Sequence, residues 1–98
     1  MARFDVCALR EGGYVLDCQA DVLGALSSRF VVPLIPAAEA PVPAARLNPA
    51  FDILGEPHVM VSQFAAAVPT RQLGRAVASL QASESQIMNA LDMLLTGY

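Results

Sequence analysis

The sequence predicts a mostly β chain closed by one C-terminal helix, and three observations carry that class. Residues 4–20 alternate apolar and polar side chains on either side of Gly12-Gly13, and residues 50–64 carry a second apolar pair of segments around Gly55-Glu56-Pro57. Residues 83–98 instead repeat their apolar positions at the helical period. Period two marks a strand with one buried face, and a period near 3.6 marks a helix with one apolar stripe.

Taken in order, Phe4, Val6 and Ala8 alternate with Asp5 and Cys7, and the pattern resumes as Tyr14-Val15-Leu16-Asp17-Cys18-Gln19-Ala20. Two such segments around a glycine turn make an antiparallel hairpin. A register pairing Arg10 with Val15 sets Cys7 opposite Cys18, which makes a cross-strand disulfide geometrically conceivable, although reduced and buried thiols are the simpler reading. Residues 21–28 leave the hairpin with the adjacent apolar pair Val22-Leu23, either core or surface. Arg29-Phe30-Val31-Val32-Pro33-Leu34-Ile35 reads as a buried strand in which Pro33 implies an edge or a bulge. Three prolines in residues 36–43 deny that stretch helix and central strand, leaving a protruding surface connection. Ala50-Phe51-Asp52-Ile53-Leu54 and His58-Val59-Met60-Val61-Ser62-Gln63-Phe64 form a second hairpin. Pro69 makes Val68 extended, so residues 65–69 are strand or bend. Residues 70–80 fit either element, with Leu73, Val77 and Leu80 at helical spacing and Gly74 against it. Ser83-Glu84-Ser85-Gln86 has the form of a capping box. Ile87, Leu91, Leu94 and Leu95 then make one stripe, and Gly97 stands where a left-handed residue stops a helix. A helix of about twelve residues is marginal alone in water, so this one must dock its stripe.

Ninety-eight residues make one domain, 55% hydrophobic and only 15% charged, well under the usual quarter of charged residues. That is more apolar surface than a monomer of this size hides easily, which points to a homodimer with an apolar interface. A net charge of −3, with six arginines spread along the first three-quarters of the chain, argues against direct nucleic-acid binding. The apolar run 30–38 is interrupted by Pro33 and Pro36 and is too short to span a bilayer. Asp5 falls where a signal peptide would be apolar, so no membrane segment and a cytoplasmic location are expected.

No enzyme signature emerges. His58, the lone histidine, follows a turn and reads as a surface or interface residue. The two cysteines lack a second pair, so zinc patterns are absent, and no glycine-rich phosphate loop precedes a helix. Asp17 and Asp21 would sit about 13 Å apart along a strand, a solvated face rather than a catalytic pair. No metal, cofactor or catalytic residue is expected.

The run Asp17-Cys18-Gln19-Ala20-Asp21-Val22-Leu23, followed by Arg29-Phe30-Val31-Val32-Pro33-Leu34, resembles the D-V-Q-S-D-I-I and R-M-V-I-P-L segments of the CcdB toxins. The resemblance continues through residues 49–55, Val68-Pro69, Gly74 and the helix Ile87-Met88-Asn89-Ala90-Leu91-Asp92-Met93-Leu94-Leu95, and ends on Gly97 and one last residue. It implies a single toxin domain over residues 1–98, an SH3-like small β-barrel with a short β-wing and a C-terminal helix, assembled as a symmetric dimer. It further implies the toxin of a type II toxin–antitoxin module, autoregulated in transcription. Such a toxin binds the A subunit of DNA gyrase, a topoisomerase, and traps its cleaved-DNA complex. A CcdA-like antitoxin whose disordered tail folds onto the toxin neutralises it.

Carried over by position, the target-contacting residues are Val22, Leu23, Asp92, Leu95, Thr96, Gly97 and Tyr98. Thr96 stands where the family has tryptophan, Tyr98 where it has isoleucine, and Asp92 where it has asparagine. A buried tryptophan anchor contributes several kcal/mol at an interface and threonine cannot replace its area. Two alternatives follow: a homologue with a changed target, or without toxicity, that only binds antitoxin; and a MazF-like ribonuclease, which needs Arg, His or Lys with an acid or hydroxyl in one cleft.

Overall fold

The computed structural model describes residues 2–97. Seven antiparallel strands, more than the four to six short ones that the residue pattern suggests, form one curled half-barrel sheet followed by a C-terminal helix, the class that the sequence and the family resemblance predict. The strands are β1 (Asp5–Leu9), β2 (Tyr14–Asp17), β3 (Ser28–Pro36), β4 (Ala50–Ile53), β5 (Glu56–Met60), β6 (Ala66–Pro69) and β7 (Leu73–Ser79), and the helix is α1 (Glu84–Thr96). Their order is β4-β5-β3-β2-β1-β7, with β6 also paired to β3, so β4 and β5 form the wing. Among the described residues no helix is long and apolar enough to cross a membrane.

The first hairpin closes differently from the register that would oppose the cysteines. Leu9 N–H donates to Gly13 O and Gly12 N–H to Leu9 O, so residues 10–13 are all spent in the turn. The ladder then pairs Ala8 with Tyr14 and Cys7 with Val15. The shift from the expected pairing is odd, and an odd shift moves a side chain to the other face. Cys7 packs with Val15, Val31 and Leu73, whereas Cys18 joins the main core, and the two are not joined in a disulfide.

Strand β3 is the spine. Pro33, which suggested an edge or bulge, lies mid-strand with β2 on one side, opposite Val15. On the other side it marks the seam between β6, which pairs with Ser28 to Val31, and β5, which pairs with Leu34 to Pro36. Val61 N–H donates to Pro33 O, but proline has no N–H to return. The Val61 carbonyl is left for Phe64 N–H, and the chain turns out of the sheet through the 3-10 turn Ser62–Phe64. This is why the strand expected to reach Phe64 stops at Met60.

The β4–β5 turn is Leu54-Gly55, one residue earlier than expected, with φ of 53° and 85°. Positive φ at both positions gives the type I′ turn that matches strand twist. Glu56 and Pro57 therefore belong to β5. Residues 37–49 form the surface connection, tied down by Asn48, whose amide donates to Met60 O (3.1 Å) and Gln63 Oε1 (2.7 Å).

Residues 70–80 resolve as a 3-10 turn, Thr70–Gln72, and strand β7 rather than a helix. The pairing of β7 with β1 is irregular between Cys7 and Leu9. A Cβ at Gly74 would lie 2.9 Å from Ala8 O, so glycine is what lets the two backbones approach there.

The capping box does not form. The 3-10 turn Gln81–Ser83 runs into α1, Ser83 N–H donates to Leu80 O, and the Ser83 hydroxyl makes no cap bond. The side-chain acceptor is Ser79 Oγ, which takes Gln81 N–H at 3.3 Å. Ile87, Ala90 and Leu91 are buried against Phe4, Leu16, Leu34 and Met60. The stripe read from the sequence is thus only half docked, since Leu94 and Leu95 are exposed. Gly97 ends the helix in the left-handed region as expected, its N–H on Met93 O.

Candidate functional site

Two exposed elements carry the residues singled out from the sequence. Val22 and Leu23 lie on the 3-10 turn Asp21–Leu23, between β2 and β3, and Val22 is 88% exposed. Leu26, in the same loop and not anticipated, is also exposed. Asp92, Leu95 and Thr96 occupy the end of α1 and are exposed, Leu95 to 75%, while Gly97 caps the helix. Tyr98 lies outside the described residues. Large apolar side chains are therefore left open on both elements.

Arg3 bridges the two elements, a role not legible in the residue order. Its backbone N–H donates to Asp21 Oδ1 (2.8 Å), next to Val22. Its Nη2 reaches Met88 Sδ on α1 (3.1 Å), and its guanidinium lies 4.5 Å from the Phe4 ring centroid. Positions 88, 92 and 95 follow at i, i+4 and i+7, so Asp92 and Leu95 share a helix ridge with Met88, the residue Arg3 reaches. Leu95 lies about 10 Å along the axis from Met88.

Beneath the loop is a buried polar network. Asp17, expected on a solvated face, is fully buried and accepts Arg29 Nε (3.0 Å) and Nη2 (2.6 Å) through Oδ2. Its Oδ1 accepts Gln19 N–H at 3.0 Å. Asp21, in contrast, is exposed. The pairing of Asp17 with Val31 sets positions 17, 19 and 29 on one face of the β2–β3 pair. Correct register was the missing signal, because diagonal neighbours on one face of a strand pair are within reach of long side chains.

His58 is neither surface nor interface in this chain. It is buried edge-on against Tyr14 (5.6 Å between centroids) with Nδ1 2.9 Å from Glu56 O, because the one-residue shift of the turn points position 58 inward. Burial, then the charge of Asp17, pushes the Cys18 thiol up to about 12, with Arg3 pulling the other way, and burial likewise raises Cys7. Both stay protonated and inert near neutrality.

Arg3 and Arg29 are engaged inside the fold, whereas Arg10 and Arg71 lie side by side and exposed. Arg29 is locked to Asp17, Arg3 is spent between the loop and α1, and Arg10 Nε donates to Arg71 O (2.6 Å). A cleft of about 260 Å³ between Arg46, Pro49, Gln86 and Asn89 opens on another flank of α1. Among the described residues no three His, Cys, Asp or Glu side chains converge as a metal site. Thr96 Oγ1 donates to Asp92 O (2.7 Å), so its side chain turns back on its own helix.

With that surface in place, the profile of the CcdB protein family matches residues 3–97. The chain belongs to the CcdB family. Membership places it among the toxins of toxin–antitoxin modules and implies an antitoxin partner. No curated protein matches the sequence. Solved structures similar to it include the Mycobacterium tuberculosis toxin MazF-mt6, at 22% identity over 93% of each chain with a TM-score of 0.76. An endoribonuclease from a mycobacterial species is 15% identical over 97% of this chain and 90% of its own, with a TM-score of 0.78. A crystal structure described as an Mtb toxin is 22% identical over 88% and 94%, with a TM-score of 0.74. At these identities the likeness is one of fold.

Proposed function

We propose that this chain is a cytoplasmic, non-enzymatic toxin that acts by binding a protein. Its contact face is the loop bearing Val22 and Leu23 together with the Asp92, Leu95, Thr96, Gly97 and Tyr98 end of α1. In this reading the target is the A subunit of DNA gyrase, trapped in its cleaved-DNA complex, and a CcdA-like antitoxin neutralises the toxin. The toxin works as a homodimer, so one compact target element meets both copies about the twofold axis. The observation that carries the reading is the exposure of Val22, Leu23 and Leu95 on two elements that Arg3 bridges, at Asp21 on the loop and Met88 on α1. Apolar anchors in such a patch are the groups that dominate protein interfaces.

One observation favours a second reading within the same family, a changed target or a chain that only binds antitoxin. Thr96 is tied back to the Asp92 carbonyl and offers no anchor where the family places tryptophan. A MazF-like ribonuclease is supported less, because Arg29 is neutralised by Asp17 and His58 is shut in the core.

The test is calorimetric titration of full-length protein, and of protein truncated after Leu95, against purified gyrase A subunit and against the antitoxin encoded beside it. Gyrase binding by full-length protein alone, with antitoxin binding kept in both, supports the first reading. Antitoxin binding with no gyrase affinity in either form replaces it with the second. Cleavage of RNA by purified protein would refute both.

A further inference from the structure

The loop that presents Val22 and Leu23 has little of its own to hold it in one shape. Its internal bonds are three turn contacts: Leu23 N–H to Ala20 O, Gly24 N–H to Asp21 O, and Leu26 N–H to Leu23 O. Most of its side chains are exposed. Below it, the Gln19 amide donates both to Leu23 O (3.0 Å) and to Ser28 O (3.2 Å), and its carbonyl accepts Phe30 N–H (2.9 Å). One buried carboxamide therefore clamps the middle of the loop and its exit to the sheet. Asp17 holds the backbone of Gln19 and anchors Arg29, whose Nη1 lies 3.7 Å from where a Cβ on Gly24 would stand. The guanidinium thus sits directly under the loop.

Stability does not explain this arrangement. Burying an ion pair carries a desolvation cost, and apolar residues of the same volume often do as well or better in a core. What a buried, hydrogen-bonded polar network supplies is a single geometry, because any other one strands a buried donor or acceptor. We propose that Asp17, Gln19 and Arg29 are positioning residues that fix the conformation in which Val22 and Leu23 are presented to a protein partner. The proposal rests on the reading of that face as the contact surface.

The test compares wild type with Gln19→Met, which keeps volume and removes the clamp, and with the double variant Asp17→Leu/Arg29→Met, which replaces the ion pair by apolar groups. The first measurement is the NMR order parameter of the amides of Val22, Leu23, Gly24 and Leu26, with Val6, Leu16 and Val32 as sheet references. The loop values are expected to fall from about 0.85 to below about 0.6 while the sheet stays near 0.85. The affinity of each partner that binds wild type, gyrase A subunit or antitoxin, should drop at least tenfold. Arg29→Lys, which keeps a charge for Asp17 but loses the second bond, should fall between. Unchanged loop order in a folded variant overturns the proposal, and so does equal loosening of loop and sheet. If neither variant folds, the network is a stability element and the proposal falls. Val22→Asp separates the two ideas: should it leave both affinities intact while Gln19→Met loosens the loop, the contact-surface reading fails and the positioning of the loop stands.

Discussion

Replacing Gly74 by alanine tests the fold at the place where the sequence was ambiguous, and the sign of the effect decides. Had residues 70–80 been helical, alanine would stabilise the chain by about 1 kcal/mol over glycine. In the structure Gly74 lies on β7, and its new Cβ would meet the Ala8 carbonyl oxygen at 2.9 Å. The obstacle is backbone, so it cannot rotate away. Relief needs β1 and β7 to part by roughly half an ångström, beside the bond from Arg10 N–H to Gln72 O. Overpacking of this kind costs about 1–3 kcal/mol. For a domain of this size each kcal/mol moves the midpoint by about 4–8 °C, so a drop of roughly 5–20 °C is expected. Thermal and urea unfolding followed by far-UV circular dichroism would measure it, with an unchanged urea slope showing that the folded state is otherwise the same. A midpoint at or above that of wild type would refute the β7 pairing and restore the helical reading.

Ile87→Ala empties a fully buried site that pins α1 to the sheet, at an expected cost of about 2–5 kcal/mol in urea unfolding, and a cost below 1 would mean that the helix is not held there. Leu54→Asn should raise stability by up to about 1 kcal/mol, because Leu54 is exposed and sits at φ 53°, which asparagine tolerates better; a lower midpoint would show that Leu54 packs on something. Burial pushes the Cys18 thiol up to about 12 in the folded chain, from about 9.0 for an exposed thiol. Above pH 9 the unfolded chain binds fewer protons than the native one, so stability falls as pH rises from 9 towards 12, by about 1.4 kcal/mol per unit at most. Cys18→Ala should lack that component, and parallel losses in both proteins across this window would reject it. Beyond Met93 the helix side chains are exposed, so the amides of Leu95 and Gly97 should exchange much faster than that of Leu91 until a partner is added; equal protection in the isolated chain would contradict this.

The sheet and helix were legible because period two and period 3.6 depend on burial of one face, which the hydrophobic effect enforces residue by residue. Register was not, since a turn of four residues and one of two leave similar alternation on either side. Both misplacements, of Cys7 against Cys18 and of His58 at the surface, trace to turns whose length is set by backbone bonds at Leu9 and Gly13 or by positive φ at Leu54 and Gly55. The capping box failed for a related reason. Its four residues are correct, but a 3-10 turn from Leu80 had already taken the N–H of Ser83. Val22 and Leu23 could be named from the sequence only through the family pattern, because an apolar pair after a strand is as often core as surface. Asp17, Gln19 and Arg29 were visible as residue types, yet their partnership follows only when β2 and β3 are laid in register.

The fold is shared with ribonuclease toxins, so the chain's own side chains must distinguish binding from catalysis. Cleavage of a phosphodiester calls for a cation and a proton acceptor that both reach the substrate. In this chain Arg29 is fully desolvated and paired, Arg3 lies along Met88 and Phe4, and the histidine faces Tyr14 inside the sheet. What the loop and the end of α1 turn outward instead is apolar: Val22, Leu23 and Leu26 on one element, Leu94 and Leu95 on the other. Keeping those side chains in water costs the free molecule roughly 1.5–3 kcal/mol for each that a partner would fully bury. Those open hydrophobic groups are the ground for the proposed recognition of another protein, while the exposed Arg10, Arg46, Arg71 and Arg75 are the cations an RNA-cleavage assay would probe.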